Sequence, residues 1–177
     1  MCPLLRFIAA CCGMLASATA FAAPTAIEYF HVGYGHYCVT SSPQEIAALD
    51  AGVLPGWSRT GETFGVFELG TAGSTGVYRF WSGQTFAPKG SHFLTPIATE
   101  CAIVMGNRDW TFEGEVFALN LPDAAGVCPT GTLPLFRLYN NGQSGAPNHR
   151  YTTQSGVWLQ MLAQGWTAEG AGPGVIG

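Results

Sequence analysis

Three segments of the chain carry one pattern, and a chain built that way has few ways to cover its own apolar faces. The first runs Ile27-Glu28-Tyr29-Phe30, then His36-Tyr37 with Thr40, then Gly56-Trp57 and Gly61. The second runs Tyr78-Arg79-Phe80-Trp81, His92-Phe93 with Thr95, Trp110 and Glu113-Gly114. The third runs Phe136-Arg137-Leu138-Tyr139, His149 with Tyr151-Thr152, Gly165-Trp166 and Glu169-Gly170. The His recurs after 56 and then 57 residues, and a Gly follows each Trp at an offset of four.

Each copy reads alike. The opening aromatic run suits a strand, and the His-aromatic-Thr piece suits an adjacent one. A short helix follows. In the first copy Ser42-Pro43-Gln44-Glu45 is a capping box with Pro at the first helical position. Ile46, Leu49 and Val53 then share a face, and Gly52 is placed to end the helix. The second copy opens its helix after Thr95-Pro96, with Cys101 and Val104 on that face. Trp158 and Met161 take those places in the third. Residues 63–67 and 115–119 read as closing strands.

The predicted fold class is therefore α+β and β-rich: three strand-strand-short helix-strand repeats over about residues 27–67, 77–119 and 135–177. Gly- and Pro-rich linkers join them at residues 68–76 and 120–134. A single unit exposes too much apolar surface to stand alone. We expect a closed pseudo-threefold arrangement, with an open three-unit stack as the alternative.

Residues 1–22 form a separate segment. One positive charge, Arg6, precedes an uncharged, mostly apolar run of 16 residues that ends Ala20-Phe21-Ala22 before Ala23-Pro24. This is the layout of a cleavable secretory signal, cut near Ala22. The expected location is extracellular or periplasmic. The run is short of the roughly 20 residues that span a bilayer, and no second run of membrane length follows, so no membrane span is expected. Ile8-Ala9-Ala10-Cys11 resembles a lipobox and makes lipidation the lesser alternative. Residues 23–177 then form a single repeat domain.

Seven Lys and Arg face 11 Asp and Glu, and nothing basic is clustered. Without Arg6 the balance is more acidic still, which argues against nucleic acid and anionic membrane surfaces as partners. Beyond the signal stand Cys38, Cys101 and Cys128. An odd number leaves at least one thiol free or paired outside the chain, and the pairing is open. Gly174-Val175-Ile176-Gly177 reads like the start of a strand, which raises the alternative of a fragment whose tail carried a partner cysteine.

The recurring residues admit two readings each. Trp57, Trp110 and Trp166 are core residues or sugar-stacking platforms, and their equivalent places favour the core. His36, His92 and His149 either bond backbone at the entry to a strand or converge on a metal. No Cys-x-x-Cys or His-Glu-x-x-His motif supports the metal, and no metal or cofactor is expected. Arg79 with Glu113 and Arg137 with Glu169 suit structural ion pairs within a copy. The first copy has Glu28 at the Arg position, so a swapped pair of Glu28 with Arg59 is the matching expectation. Catalytic signals are thin. Gly142-Gln143-Ser144-Gly145 lacks the last Gly of a nucleophile elbow, and Glu113 with Glu115 is a weak glycosidase pair.

A binding site is best sought where the copies differ. The segment between the first two strands is short in the first copy and longer in the other two. In the third, Asn140, Asn141, Gln143 and Asn148 lie beside Tyr139 and Tyr151. Amides with aromatic rings suit a sugar surface, and they also suit an ordinary turn. These six are the candidate ligand-binding residues.

The whole constellation resembles a repeat family of secreted bacterial and some fungal proteins, a domain of unknown function. Its signature is an aromatic-Arg-aromatic strand, Gly/Ser-His-aromatic-x-Thr, a helix, Gly-Trp and Glu-Gly. Tyr78-Arg79-Phe80, Ser91 to Thr95 and Trp110 to Gly114 carry it, as do Phe136 to Tyr139, His149 to Thr152 and Gly165 to Gly170. The first copy departs, with Glu28 for Arg, an extra residue before Thr40 and no Glu before Gly61. The resemblance implies an accessory or surface-binding role, since members stand beside secreted enzymes. The function expected is a secreted, non-catalytic binding module for an extracellular glycan or other cell-surface component. A purely structural or protein-interaction domain is the alternative, and a small glycoside hydrolase using Glu113 and Glu115 is the third reading.

Overall fold

The computed structural model describes residues 23–177, and the expected signal lies outside them. The first copy comprises β1 (Thr25–His31), β2 (His36–Thr40), α1 (Pro43–Asp50) and β3 (Trp57–Gly65). The second comprises β4 (Thr75–Trp81), β5 (His92–Thr95), α2 (Ala98–Met105) and β6 (Thr111–Leu119). The third comprises β7 (Phe136–Tyr139), β8 (His149–Thr152), α3 (Ser155–Ala163) and β9 (Thr167–Glu169). A 3₁₀ turn at Gln143–Gly145 lies between β7 and β8.

Each copy forms one small antiparallel sheet with its first strand in the centre: β2-β1-β3, β5-β4-β6 and β8-β7-β9. The expected closed pseudo-threefold arrangement does not form. The sheets stay separate, three strands each, and none closes on itself or on another. Strand order supplies the reason: both flanks of each central strand are filled from its own copy, so the copies are connected by side chains and, between the first two, by one isolated backbone bridge of Phe67 with Ala118. Those connections also differ chemically from one junction to the next.

The Gly four residues after each Trp has a physical cause. Gly61, Gly114 and Gly170 all have positive φ, at 95°, 113° and 134°. The pairing of β1 with β3 and of β4 with β6 shifts register there. A bulge of this kind needs a residue with no Cβ penalty at positive φ. In the second copy the bulge turns Glu113 toward Arg79, and in the third Glu169 stands directly opposite Arg137 at the end of β9.

In α1 the Ser42 hydroxyl caps the Glu45 amide at 3.3 Å. The reciprocal half of the box is missing. Thr40 Oγ1 takes the Ser42 amide instead, and the Glu45 carboxylate turns outward to Arg79. The helix ends at Asp50, so Val53 falls beyond it and is exposed, while Leu49 is buried. Apolar side chains from all three copies meet in one core, among them Ala26, Val39, Val77, Leu94, Leu135 and Ile176. Ile176 and Gly177 exchange backbone hydrogen bonds with Leu135.

Candidate functional site

Two junctions are built on one plan. Between the first and second copies, Arg79 grips Glu45 with both terminal nitrogens, at 2.9 and 2.7 Å. Its Nε lies 2.8 Å from Glu113, which also meets His92 Nε2 at 3.2 Å. Between the second and third copies, Arg137 grips Glu100 at 2.8 and 2.7 Å. Its Nε lies 3.3 Å from Glu169, which meets His149 Nε2 at 3.3 Å. Neither Nε–H points along its contact, so both are ion pairs without a directed hydrogen bond. Thr40 and Thr95 add a hydroxyl to Glu45 and Glu100 respectively. The third junction inverts the charges: Arg150 of the third copy grips the fully buried Glu28 of the first, at 3.0 Å twice.

A cleft of about 570 Å³ opens at the second of these junctions. Half-buried Trp110, Tyr139 and Phe86 line it with buried Phe93, and Glu100, Asn107, Asp109 and Glu169 supply polar edges. The Tyr139 ring stacks on His149 with centroids 5.0 Å apart, and the Arg137 guanidinium lies over Phe93. Burial would raise Glu100, but the Arg137 and Thr95 hydrogen bonds hold it below its ordinary range. Glu169 is likewise held down against burial, by His149 and Arg137. Burial depresses His149 despite Glu169, so the ring is neutral near pH 7 and Arg137 is the cation that keeps Glu169 ionised.

A family model for a domain of unknown function, DUF5648, matches residues 25–175. The chain belongs to DUF5648. No curated protein and no solved structure matches it. The DUF5648 match runs from β1 past β9 and so takes in both junctions and the cleft.

Of the six candidate ligand residues in this DUF5648 chain, Tyr139 alone lines the large cleft. Asn140 is buried, with all four side-chain bonds made inside its own loop, to Gln143, Ala146, Gly142 and Asn148. Asn148 is fully buried where the copies meet, accepting from the Tyr37 amide and Ser91 hydroxyl and donating to Gly35. Asn141 ties the loop to Gly165 and Thr167. Gln143 borders a separate cleft of about 230 Å³ with Tyr37 and Trp166. Tyr151 is buried, its hydroxyl taking the Leu94 amide and donating to the Leu94 carbonyl.

The recurring residues separate in the same way. Trp57, Trp110 and Trp166 are half-buried at the sheet ends. Trp57 stands edge-on to His31, Trp166 edge-on to Tyr37, and Trp110 in the large cleft. His36 meets the Gly90 carbonyl, His92 meets Cys38 and Glu113, and His149 meets Glu169. Each His thus has its own partners. Among the described residues no group of three His, Cys, Asp or Glu could hold a metal, and no helix is long and apolar enough to cross a membrane. The swapped pair of Glu28 with Arg59 does not form: Glu28 binds Arg150, and Arg59 binds Asp50. Glu113 turns to Arg79 and His92, whereas Glu115 lies over Gly76.

Of Glu45, Glu100 and Arg150, the sequence singled out Glu45 alone, and that as a helix cap and not as a junction residue. A signal for the first two exists: each stands five residues after the repeat Thr, where the third copy has Val157. Arg150 follows its His directly, where the other copies have Tyr37 and Phe93.

Proposed function

We propose that this DUF5648 chain is a secreted, non-catalytic module that binds extracellular or cell-surface carbohydrate in the cleft between its second and third copies. The observation that carries the reading is the pairing, in one open cleft, of the Trp110 and Tyr139 rings with the carboxylates and amide of Glu100, Asp109, Glu169 and Asn107. Sugars offer apolar C–H faces to aromatic rings and hydroxyl edges to such acceptors. The signal layout of residues 1–22 supports export. A glycan array and a pull-down on cell-wall polysaccharide test the reading. Retention on a glycan, weakened roughly tenfold in Trp110→Ala, is the expected result. No retention on any polysaccharide sinks it.

A second reading, a protein-interaction module, draws on exposed Ile103, Met105 and Leu159 on α2 and α3. Ile103 also borders the cleft. Ile103→Ser separates the two: it leaves glycan retention intact while Trp110→Ala weakens it, or it alone removes binding of a protein partner.

A further inference from the structure

The first junction holds a constellation that the second lacks. Cys38 Sγ lies 3.7 Å from His92 Nδ1, and His92 Nε2 lies 3.2 Å from Glu113, which Arg79 holds in turn. The order is nucleophile, base, orienting carboxylate, the arrangement that activates thiols. The repeat supplies an internal control. His149 and Glu169 form the same dyad at the second junction, but the group packed against His149 is the Phe93 ring, with centroids 4.9 Å apart. The dyad alone is therefore architecture. What sets the first junction apart is that β2 has five residues where β5 and β8 have four, and the middle one is a cysteine.

We propose that Cys38 is a reactive thiol, activated by His92 and Glu113, that exchanges with low-molecular-weight disulfides to form a mixed disulfide on this chain. The Cys38 sulfur, its proton passed to His92 Nδ1, attacks one sulfur of the incoming disulfide. The new S–S bond forms at Cys38 as the old one breaks. The departing thiolate carries away the electron pair and takes the proton back from His92. The disulfide is the oxidant, and no other co-reactant is needed. Cys38 is part-exposed and unpaired, as the attack requires. Cys101 and Cys128 are unpaired as well, but burial pushes both thiols up, with Glu115 and Asp123 adding to it. Burial lowers His92, yet Cys38 and Glu113 beside it push it up to about 9, so it is protonated and able to pair with a thiolate at neutral pH. The titratable and charged groups facing the thiol are His92 on β5, Glu113 on β6, Arg79 on β4 and Glu45 on α1.

The purified protein, incubated with oxidised glutathione, tests this by intact mass and peptide mapping over time. Expected is an adduct on Cys38 about tenfold faster than on Cys101 or Cys128 near neutral pH. In His92→Gln the Cys38 rate falls toward that of Cys101 and Cys128. Glu113→Gln lowers the rate less. Equal rates at all three cysteines overturn the proposal. So does a Cys38 rate in the unsubstituted protein no faster than that of a free small-molecule thiol, a result that stands even if His92→Gln fails to fold.

Discussion

The two Arg-centred junctions share a plan and differ in what surrounds it. At the first, Trp81 lies over His92 and is boxed in by Gly83 and Gly90, where a Cβ would stand 2.2 and 2.5 Å from the indole. At the second, the matching ring is Tyr139, its loop is drawn back by Asn140 and Asn141, and the cleft stays open. Arg79 retains 13% side-chain exposure against 2% for Arg137. The relay of Thr, Glu, Arg, Glu and His is thus a fixed joint between copies. Function is free to vary around it: a thiol at one joint, a lined cleft at the other.

Burial makes the joints unequal in strength. Arg137→Met removes a guanidinium only 2% exposed and leaves half-buried Glu100 and Glu169 without their cation, which costs about 3 kcal/mol. Arg79→Met, with its partner Glu45 more exposed, costs about 1–2 kcal/mol. Urea denaturation of both variants measures the gap. Equal losses would mean that the exposure difference has no energetic meaning.

The joints also respond to pH with opposite signs. His92 is raised above its unfolded value, so its contribution is complete below about pH 6.5 and is lost as pH climbs through about 9. His149 is depressed by burial, which favours the neutral ring. Its contribution is complete above about pH 6.5 and is lost as pH falls below that. Urea midpoints across the pH range show two limbs: His92→Gln flattens the alkaline one and His149→Gln the acidic one. Both variants acting on the same limb would break the comparison.

A smaller effect isolates the bulge. Gly114 has positive φ and open space where a Cβ would go, so Gly114→Ala carries conformational strain alone, about 1 kcal/mol. Gly170→Ala meets the Val175 carbonyl oxygen 2.5 Å away as well and loses more. Thermal midpoints of the pair order the two costs.

The recurrence of Trp and Gly was legible because a bulge demands one residue type at one offset, whatever surrounds it. The Ser42 cap was legible for the same local reason. The joints were not. Glu45 meets Arg79 across 34 residues, and Arg150 meets Glu28 across 122, and only the strand order brings them together. The amide loop misled because an Asn bonded to its own backbone and an Asn free for a ligand look identical in a sequence. Cys38 stood in the sequence as one of three cysteines whose pairing was open. Its neighbour His92 lies 54 residues away.

Arg59 gives the smallest expected change and the sharpest check on the third junction. A pair with Glu28 would make Arg59 the counter-ion of a wholly buried carboxylate, and its loss would be severe. It binds Asp50 instead, in a pair exposed on both sides, beside a Tyr29 hydroxyl that keeps its own bond to Asp50. Water and salt screen such a pair. Arg59→Gln therefore leaves the urea midpoint where it was, whereas Arg150→Gln strands Glu28 and lowers it. A drop in Arg59→Gln as large as that in Arg150→Gln would mean that Glu28 draws on Arg59 after all, and that the third junction is held within the first copy and not by the third.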